Sequence, residues 1–159
     1  MTKYHFAQLT QANALEIANN WHYPDEYAFY DMSADPEDYE ELIDPQQRGE
    51  QYYQATDANG TLQGFFALMP TDDPATIELG LGLAPSLTGH GGGVEFLRQI
   101  LVYMQEHVTA DKVLLDVAEF NVRAQKVYVR AGFVVSGKHD QETNGGVWPF
   151  VTMTRDLVK

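Results

Sequence analysis

Leu83-Ala84-Pro85-Ser86-Leu87-Thr88-Gly89-His90-Gly91-Gly92-Gly93-Val94-Glu95-Phe96-Leu97 leads from the end of a strand, through a loop with four glycines, into a helix. Upstream, residues 75–84 alternate apolar residues with Glu78, Gly80 and Gly82, the period of a β-strand. Downstream, Phe96, Leu97, Ile100, Leu101, Met104 and Val108 recur at spacings of three and four, which predicts a helix from Gly92 to about Val108. Glycine lets the backbone take positive φ and lets a ligand approach the main chain closely. The loop feeds a helix N-terminus, where unpaired N–H groups and the positive end of the helix dipole favour phosphate oxygens. Two phosphate motifs are nevertheless absent. No Lys-Ser or Lys-Thr follows the loop, and Val94 stands where G-x-G-x-x-G requires glycine.

The rest of the chain surrounds this segment with short elements. Residues 4–9 read as a strand and 11–21 as a helix with Leu15, Ile17, Ala18 and Trp21 on or near one face. Residues 22–32 are aromatic, acidic and interrupted by Pro24, so a loop is expected. Pro36 opens a short acidic helix to residue 44. Residues 50–56 and 61–69 form a hairpin around Asn59-Gly60. Residues 112–118 form a buried strand, 121–131 a helix stopped at Gly132, and 133–138 and 147–154 two last strands around Asn144-Gly145-Gly146. Hairpins mixed with interspersed helices predict an α+β class, and the length suits a single domain over 1–159.

A second segment, Asn121-Val122-Arg123-Ala124-Gln125-Lys126-Val127-Tyr128-Val129-Arg130-Ala131-Gly132-Phe133, accompanies the glycine loop. Ala124 and Tyr128 are four residues apart and so share a helix face. Alone, Asn121 reads as a helix N-cap and Tyr128 as a core aromatic. Taken together, the two segments resemble the GNAT N-acetyltransferase superfamily. Its signature [Q/R]-x-x-G-x-[G/A] falls on Thr88-Gly89-His90-Gly91-Gly92-Gly93, where Gly91 and Gly93 match and Thr88 replaces Gln or Arg. Its N-x-x-A-x-x-x-Y-x-x-x-G-F pattern is matched at all five fixed positions, Asn121, Ala124, Tyr128, Gly132 and Phe133.

The resemblance implies a central mixed, mostly antiparallel twisted sheet of about seven strands flanked by about four helices. It implies acetyl-CoA as co-substrate, with no metal, and direct attack of an amine on the thioester without a covalent enzyme intermediate. The amides of Gly89, His90, Gly91, Gly92 and Gly93, with Thr88, would hold the CoA pyrophosphate. Backbone N–H groups of Leu81, Gly82 and Leu83 would meet the oxyanion. Asn121 would bond the pantetheine arm or order water, Ala124 would leave room for that arm, and Tyr128 would protonate the leaving thiolate. Glu78 stands at the fourth-strand position where several family members carry a catalytic glutamate, so it is the candidate base. An exposed glutamate on an edge strand is the other reading. From the first half, Tyr27, Phe29, Tyr30 and Asp31, within the stretch Trp21 to Asp31, would line the acceptor site, with Trp21 better placed in the core.

Charge is unevenly distributed. Residues 1–79 hold two basic and fifteen acidic residues, whereas residues 80–159 hold eight of each. All of the net −13 therefore belongs to the first half. Nucleic acid is a poor partner for such a surface, and a cationic amine or peptide substrate suits it. With no cysteine, disulfides, thiolate nucleophiles and Cys-ligated zinc are excluded. The five histidines have no ligand spacing. No apolar run approaches the ~20 residues of a membrane span, and the opening residues lack an apolar leader core, so a cytoplasmic location is expected. Dimers are common in the family, which makes a homodimer compatible with this reading. A GNAT-fold acyl-CoA sensor and a non-catalytic interaction module are the alternatives to an enzyme.

Overall fold

The computed structural model describes residues Thr2–Leu157; Met1, Val158 and Lys159 lie outside the described residues. In chain order the elements are β1 (His5–Gln8), α1 (Gln11–Asn20), α2 (Pro36–Ile43), α3 (Pro45–Arg48), β2 (Tyr52–Thr56), β3 (Leu62–Pro70), β4 (Thr76–Leu83), α4 (Gly93–His107), β5 (Lys112–Ala118), α5 (Val122–Arg130), β6 (Val134–Thr143) and β7 (Gly146–Asp156). Three 3₁₀ turns cover Asp25–Tyr30, Met32–Ala34 and Pro85–Leu87. The seven strands form one sheet in the order β1-β2-β3-β4-β5-β7-β6. β1 with β2, β2 with β3, and β5 with β7 are antiparallel, whereas β4 and β5 are parallel. A parallel pair needs a crossover, and α4 provides it. The sheet is thus mixed and mostly antiparallel, in an α+β protein.

Local chemistry explains the element ends. Thr10 caps α1 by accepting from the Asn13 N–H. Asp35-Pro36 and Asp44-Pro45 begin two successive helices by the same device: an aspartate caps and the proline takes the first helical position. The acidic helix expected over 36–44 therefore ends at Ile43, and a one-turn helix follows it. The β2–β3 turn closes as Asn59-Gly60 predicts, with Asp57 Oδ1 accepting from the N–H groups of Asn59 and Thr61, each at 2.9 Å. The expected loop over 22–32 is instead wound largely into 3₁₀ turns, with no buried residue in Asp25–Tyr30 or Met32–Ala34. β6 and β7 are longer than the sequence suggests, and Asn144 and Gly145 turn between them with φ of 51° and 75°.

The chain divides into two compact units, each built from three chain segments. One comprises Met1–Ala67, Leu81–Thr88 and Glu142–Val147. Its core gathers Ile17, Leu42, Trp21, Phe65 and Phe66, with the Trp21 and Phe65 rings 6.0 Å apart. Buried Arg48 donates to Gln11 Oε1 at 2.9 Å and to the Leu42 carbonyl at 2.6 Å, so its charge is not left unpartnered. The other comprises Leu68–Gly80, Gly89–Gln141 and Trp148–Lys159. Its core is the inner face of α4 (Phe96, Leu97, Ile100, Leu101, Met104) with Val113, Leu115, Phe133 and Met153.

In the first unit Asp35 does more than cap α2. Its carboxylate also accepts from the Thr143 hydroxyl at 2.8 Å and the Asn144 N–H at 3.2 Å. These bonds, that from Thr143 foremost, hold the Asp35 carboxyl below the usual carboxylate range. A depressed folded value means stability present above the unfolded pKa and lost as pH falls through the folded one. Asp35→Ala should destabilise the protein by about 1 kcal/mol at neutral pH. In urea melts its difference from wild type should shrink as the pH falls into and below the carboxylate range.

Candidate active site

The second unit holds the glycine loop from Gly89 onward and the whole of the segment 121–133. Gly89 and Gly91 take φ of 77° and 81°, which strongly favour glycine. α4 begins behind them with Gly92 at its N-cap and no side chain capping it. Its first amides thus have no intrahelical acceptor and no side-chain cap. Glu95, in the first turn, accepts instead from Gln99 Nε2 at 3.1 Å. His90 is exposed at the loop tip.

α5 lies against this loop. A Cβ at position 93 would stand 3.3 Å from Val127 Cγ2, and one at position 89 would stand 3.4 Å from Arg123 Nη1. The glycine loop and the second segment, thirty residues apart in sequence, are therefore brought together. Asn121 caps α5, its Oδ1 accepting from the Ala124 N–H at 3.1 Å. Ala124 and Tyr128 are both half-buried. The Tyr128 ring sits 6.2 Å from that of buried Phe133.

Glu78 lies on β4, which is flanked by β3 and β5 and so is not an edge strand. It pairs in register with Leu114. Two residues further along β5, on the same face, is Asp116. Its Oδ1 accepts from Thr152 Oγ1 of β7 at 2.7 Å and from His139 Nε2 of β6 at 3.1 Å. Burial, then the Asp116 charge, raise the proton affinity of Glu78, while His139 opposes them. The hydrogen bond to Asp116 raises that of His139. Sequence reading missed Asp116, Thr152 and His139. One signal was present: a charged residue in the middle of the apolar strand Val113-Leu114-Leu115-Asp116-Val117-Ala118.

The remaining predicted residues belong to the first unit. There Leu81, Gly82 and Leu83 end β4, and Thr88 donates its hydroxyl to the Pro85 carbonyl at 2.8 Å. A Cβ at Gly82 would fall 2.7 Å from Phe65 Cε1. The Tyr23 hydroxyl donates to the Leu83 carbonyl at 2.7 Å. Asp31 orders the aromatic segment, with Oδ1 accepting from the Tyr23 N–H at 2.8 Å and Oδ2 lying 3.0 Å from His22 Nδ1. Phe29 and Tyr30 meet edge to face at 5.3 Å, and Tyr27 is half-buried. Trp21 is in the core. Among the described residues no group of three or more histidines or carboxylates could hold a metal, and no helix is long and apolar enough to cross a membrane.

Residues 3–134 match the family described as the acetyltransferase (GNAT) domain. The chain belongs to that family. Among solved structures, it is similar to spermidine N-acetyltransferase from Vibrio cholerae in complex with CoA and spermine, at 21% identity, covering 97% of this chain and 95% of that one with a TM-score of 0.71. A chimera of that Vibrio cholerae enzyme aligns at 19% identity over 96% and 95% of the two chains, with a TM-score of 0.73. Ribosomal-protein-S5-alanine acetyltransferase from Vibrio fischeri aligns at 16% identity over 99% and 94%, with a TM-score of 0.67. At such identities the likeness is one of fold. No curated protein sequence matches the chain.

Two consequences can be measured. Gly82→Ala forces the buried Phe65 ring to move, so it should cost about 1–3 kcal/mol of stability in denaturant melts. The raised proton affinity of His139 contributes stability that is fully present below its unfolded pKa and lost as pH rises through the folded value. The melting-temperature gap between wild type and His139→Gln should therefore be wider at pH 5.5 (roughly a unit below the free imidazole value) than at pH 8.

Proposed function

We propose that the chain is a single catalytic domain that transfers the acetyl group of acetyl-CoA to a cationic primary amine by direct attack. The observation that carries this reading is the juxtaposition of the glycine loop and α5. An uncapped helix N-terminus behind two glycines of positive φ is a cradle that any Cβ would strain or fill, and it suits a pyrophosphate. The family signature leaves Thr88 where a Gln or Arg would add to that site, and Thr88 spends its hydroxyl within its own turn. Arg123, beside Gly89, supplies the cation in its place.

In this reading Gly89, His90, Gly91, Gly92 and Gly93 present amides to the pyrophosphate, and Thr88 shapes the entry to the loop. Asn121 and Ala124 border the pantetheine arm. Backbone N–H groups of Leu81, Gly82 and Leu83 meet the developing oxyanion. Glu78 accepts the proton of the attacking ammonium, whose nitrogen then bonds to the acetyl carbon. The C–S bond breaks as the tetrahedral intermediate collapses; Tyr128 gives its proton to the leaving sulfur and is reprotonated by the second proton that the acylated nitrogen sheds.

Tyr27, Phe29, Tyr30 and Asp31 line the acceptor site, and the excess of acidic residues before Gly80 draws a cation to it. Polyamines are the first acceptors to try, because the solved Vibrio cholerae relative carries spermine in its complex.

Arg123→Gln should weaken CoA binding about tenfold, read by calorimetry, because a charge-assisted contact to phosphate is lost. Tyr128→Phe should lower kcat about 10²-fold or more in an assay of CoA thiol release, with CoA affinity retained. Unchanged turnover in Tyr128→Phe would remove that residue from the chemistry. Failure of wild type to bind CoA at millimolar concentration would overturn the reading as a whole.

A further inference from the structure

The sheet carries a polar row of which the acetyl-transfer reading uses only Glu78. Glu78 on β4 is in register with Leu114 of β5. Asp116 follows Leu114 on the same face and is paired with Thr152 of β7. His139 of β6 reaches across β7 to the same carboxylate oxygen that Thr152 bonds. The row thus crosses four neighbouring strands, β4, β5, β7 and β6, and ends at the sheet edge. The His139 side chain is 40% exposed and that of Asp116 21%.

The imidazole is held from three sides. Its Nε2 donates to Asp116 Oδ1 at 3.1 Å, its Nδ1 faces the Asp140 carbonyl at 3.3 Å, and its ring stacks at 6.0 Å on Phe150. Both ring nitrogens face acceptors, the arrangement an imidazolium requires. The titratable groups acting on it are Asp116 from β5 and Asp140 from its own strand, while β7 contributes the neutral Thr152. Those acting on Glu78 are Asp116 and His139.

We propose that Asp116 and His139 are positioning residues that set the base strength of Glu78 through this row, and that His139 makes that strength follow pH. The inference rests on Glu78 being the base. Asp116 is a carboxylate near a carboxylate, and a like charge makes Glu78 hold a proton more tightly. Protonated His139 offsets part of the Asp116 charge, so Glu78 holds its proton less tightly than it would beside Asp116 alone. Once His139 is neutral, the Asp116 charge is uncompensated and Glu78 becomes the stronger base. The row therefore makes Glu78 the weaker base while His139 is charged and the stronger one once His139 is neutral. Thr152 fixes the Asp116 rotamer, so the two charges remain at one separation.

The two partners predict opposite shifts, which loss of structure alone would not produce. The experiment is the pH dependence of kcat for the full chain with acetyl-CoA and saturating spermidine. Asp116→Asn should move the acid limb to lower pH by about half a unit or more, and His139→Gln should move it to higher pH by a similar amount. The double variant should return close to wild type. Should either single variant turn over too slowly to profile, NMR titration of the remaining groups in the CoA complex reads the same quantity: the Glu78 carboxyl shift moves down in Asp116→Asn and up in His139→Gln. Glu78→Gln separates the two claims. If it leaves the acid limb in place, Glu78 is not the base and the row has no role in the reaction. If it abolishes the limb while Asp116→Asn and His139→Gln leave the limb and the Glu78 titration unmoved, Glu78 stands and this inference alone is overturned.

Discussion

The start of α4 meets the body of α5 over a glycine. A Cβ at position 93 would lie 3.3 Å from Val127, tighter than side-chain packing ordinarily allows. This contact brings the amides behind Gly89 and Gly91 beside the helix that carries Asn121, Ala124 and Tyr128. It also holds the guanidinium of Arg123 against the loop. The constraint comes from the amphipathic faces beneath it: Phe96, Leu97 and Ile100 of α4 are buried, and Phe133, just past α5, is buried with them. Core packing thus fixes where the α4 amino end sits, and the glycines decide what can reach it.

Parallel pairing of β4 and β5 is the second consequence of α4. Because the crossover helix returns the chain alongside β4, a glutamate and an aspartate separated by 38 positions in sequence share one sheet face. The aspartate's charge, after burial, raises the proton affinity of the glutamate. A histidine from the far edge offsets that pressure. Proton affinity at Glu78 thus depends on charges from β5 and β6 as well as on its own burial in β4.

The residues that proved easy to read are those whose sequence pattern is local. The 3.6-residue period of α4, the Asn-Gly turns and the Pro36 helix start all depend on neighbours a few positions away, and each appears in the fold. The contact between the glycine loop and α5 was not itself read from the sequence, where the two segments were joined only by their common family resemblance. Three features were not legible for a common reason. Past its expected end at residue 138, β6 continues through His139, Asp140, Gln141 and Glu142 with no apolar alternation, because as an edge strand it is held by pairing with β7 and not by burial. The segment 22–32 coils into 3₁₀ turns through Asp31, whose bonds to Tyr23 and His22 span eight and nine positions. The Asp116–Thr152–His139 cluster is formed by strand order alone, and only the anomalous charge in β5 hinted at it.

Acetyl transfer from CoA to an amine leaves a product that can be identified. The protein is incubated with acetyl-CoA carrying a ¹³C-labelled acetyl group and with spermidine, and the amine is examined by mass spectrometry beside an assay of free thiol. Labelled monoacetylated spermidine in a one-to-one ratio with released CoA is the expected result. Binding of CoA with no labelled acetyl on spermidine or on other primary amines would contradict it and would mark the chain as a CoA-binding protein without transferase activity.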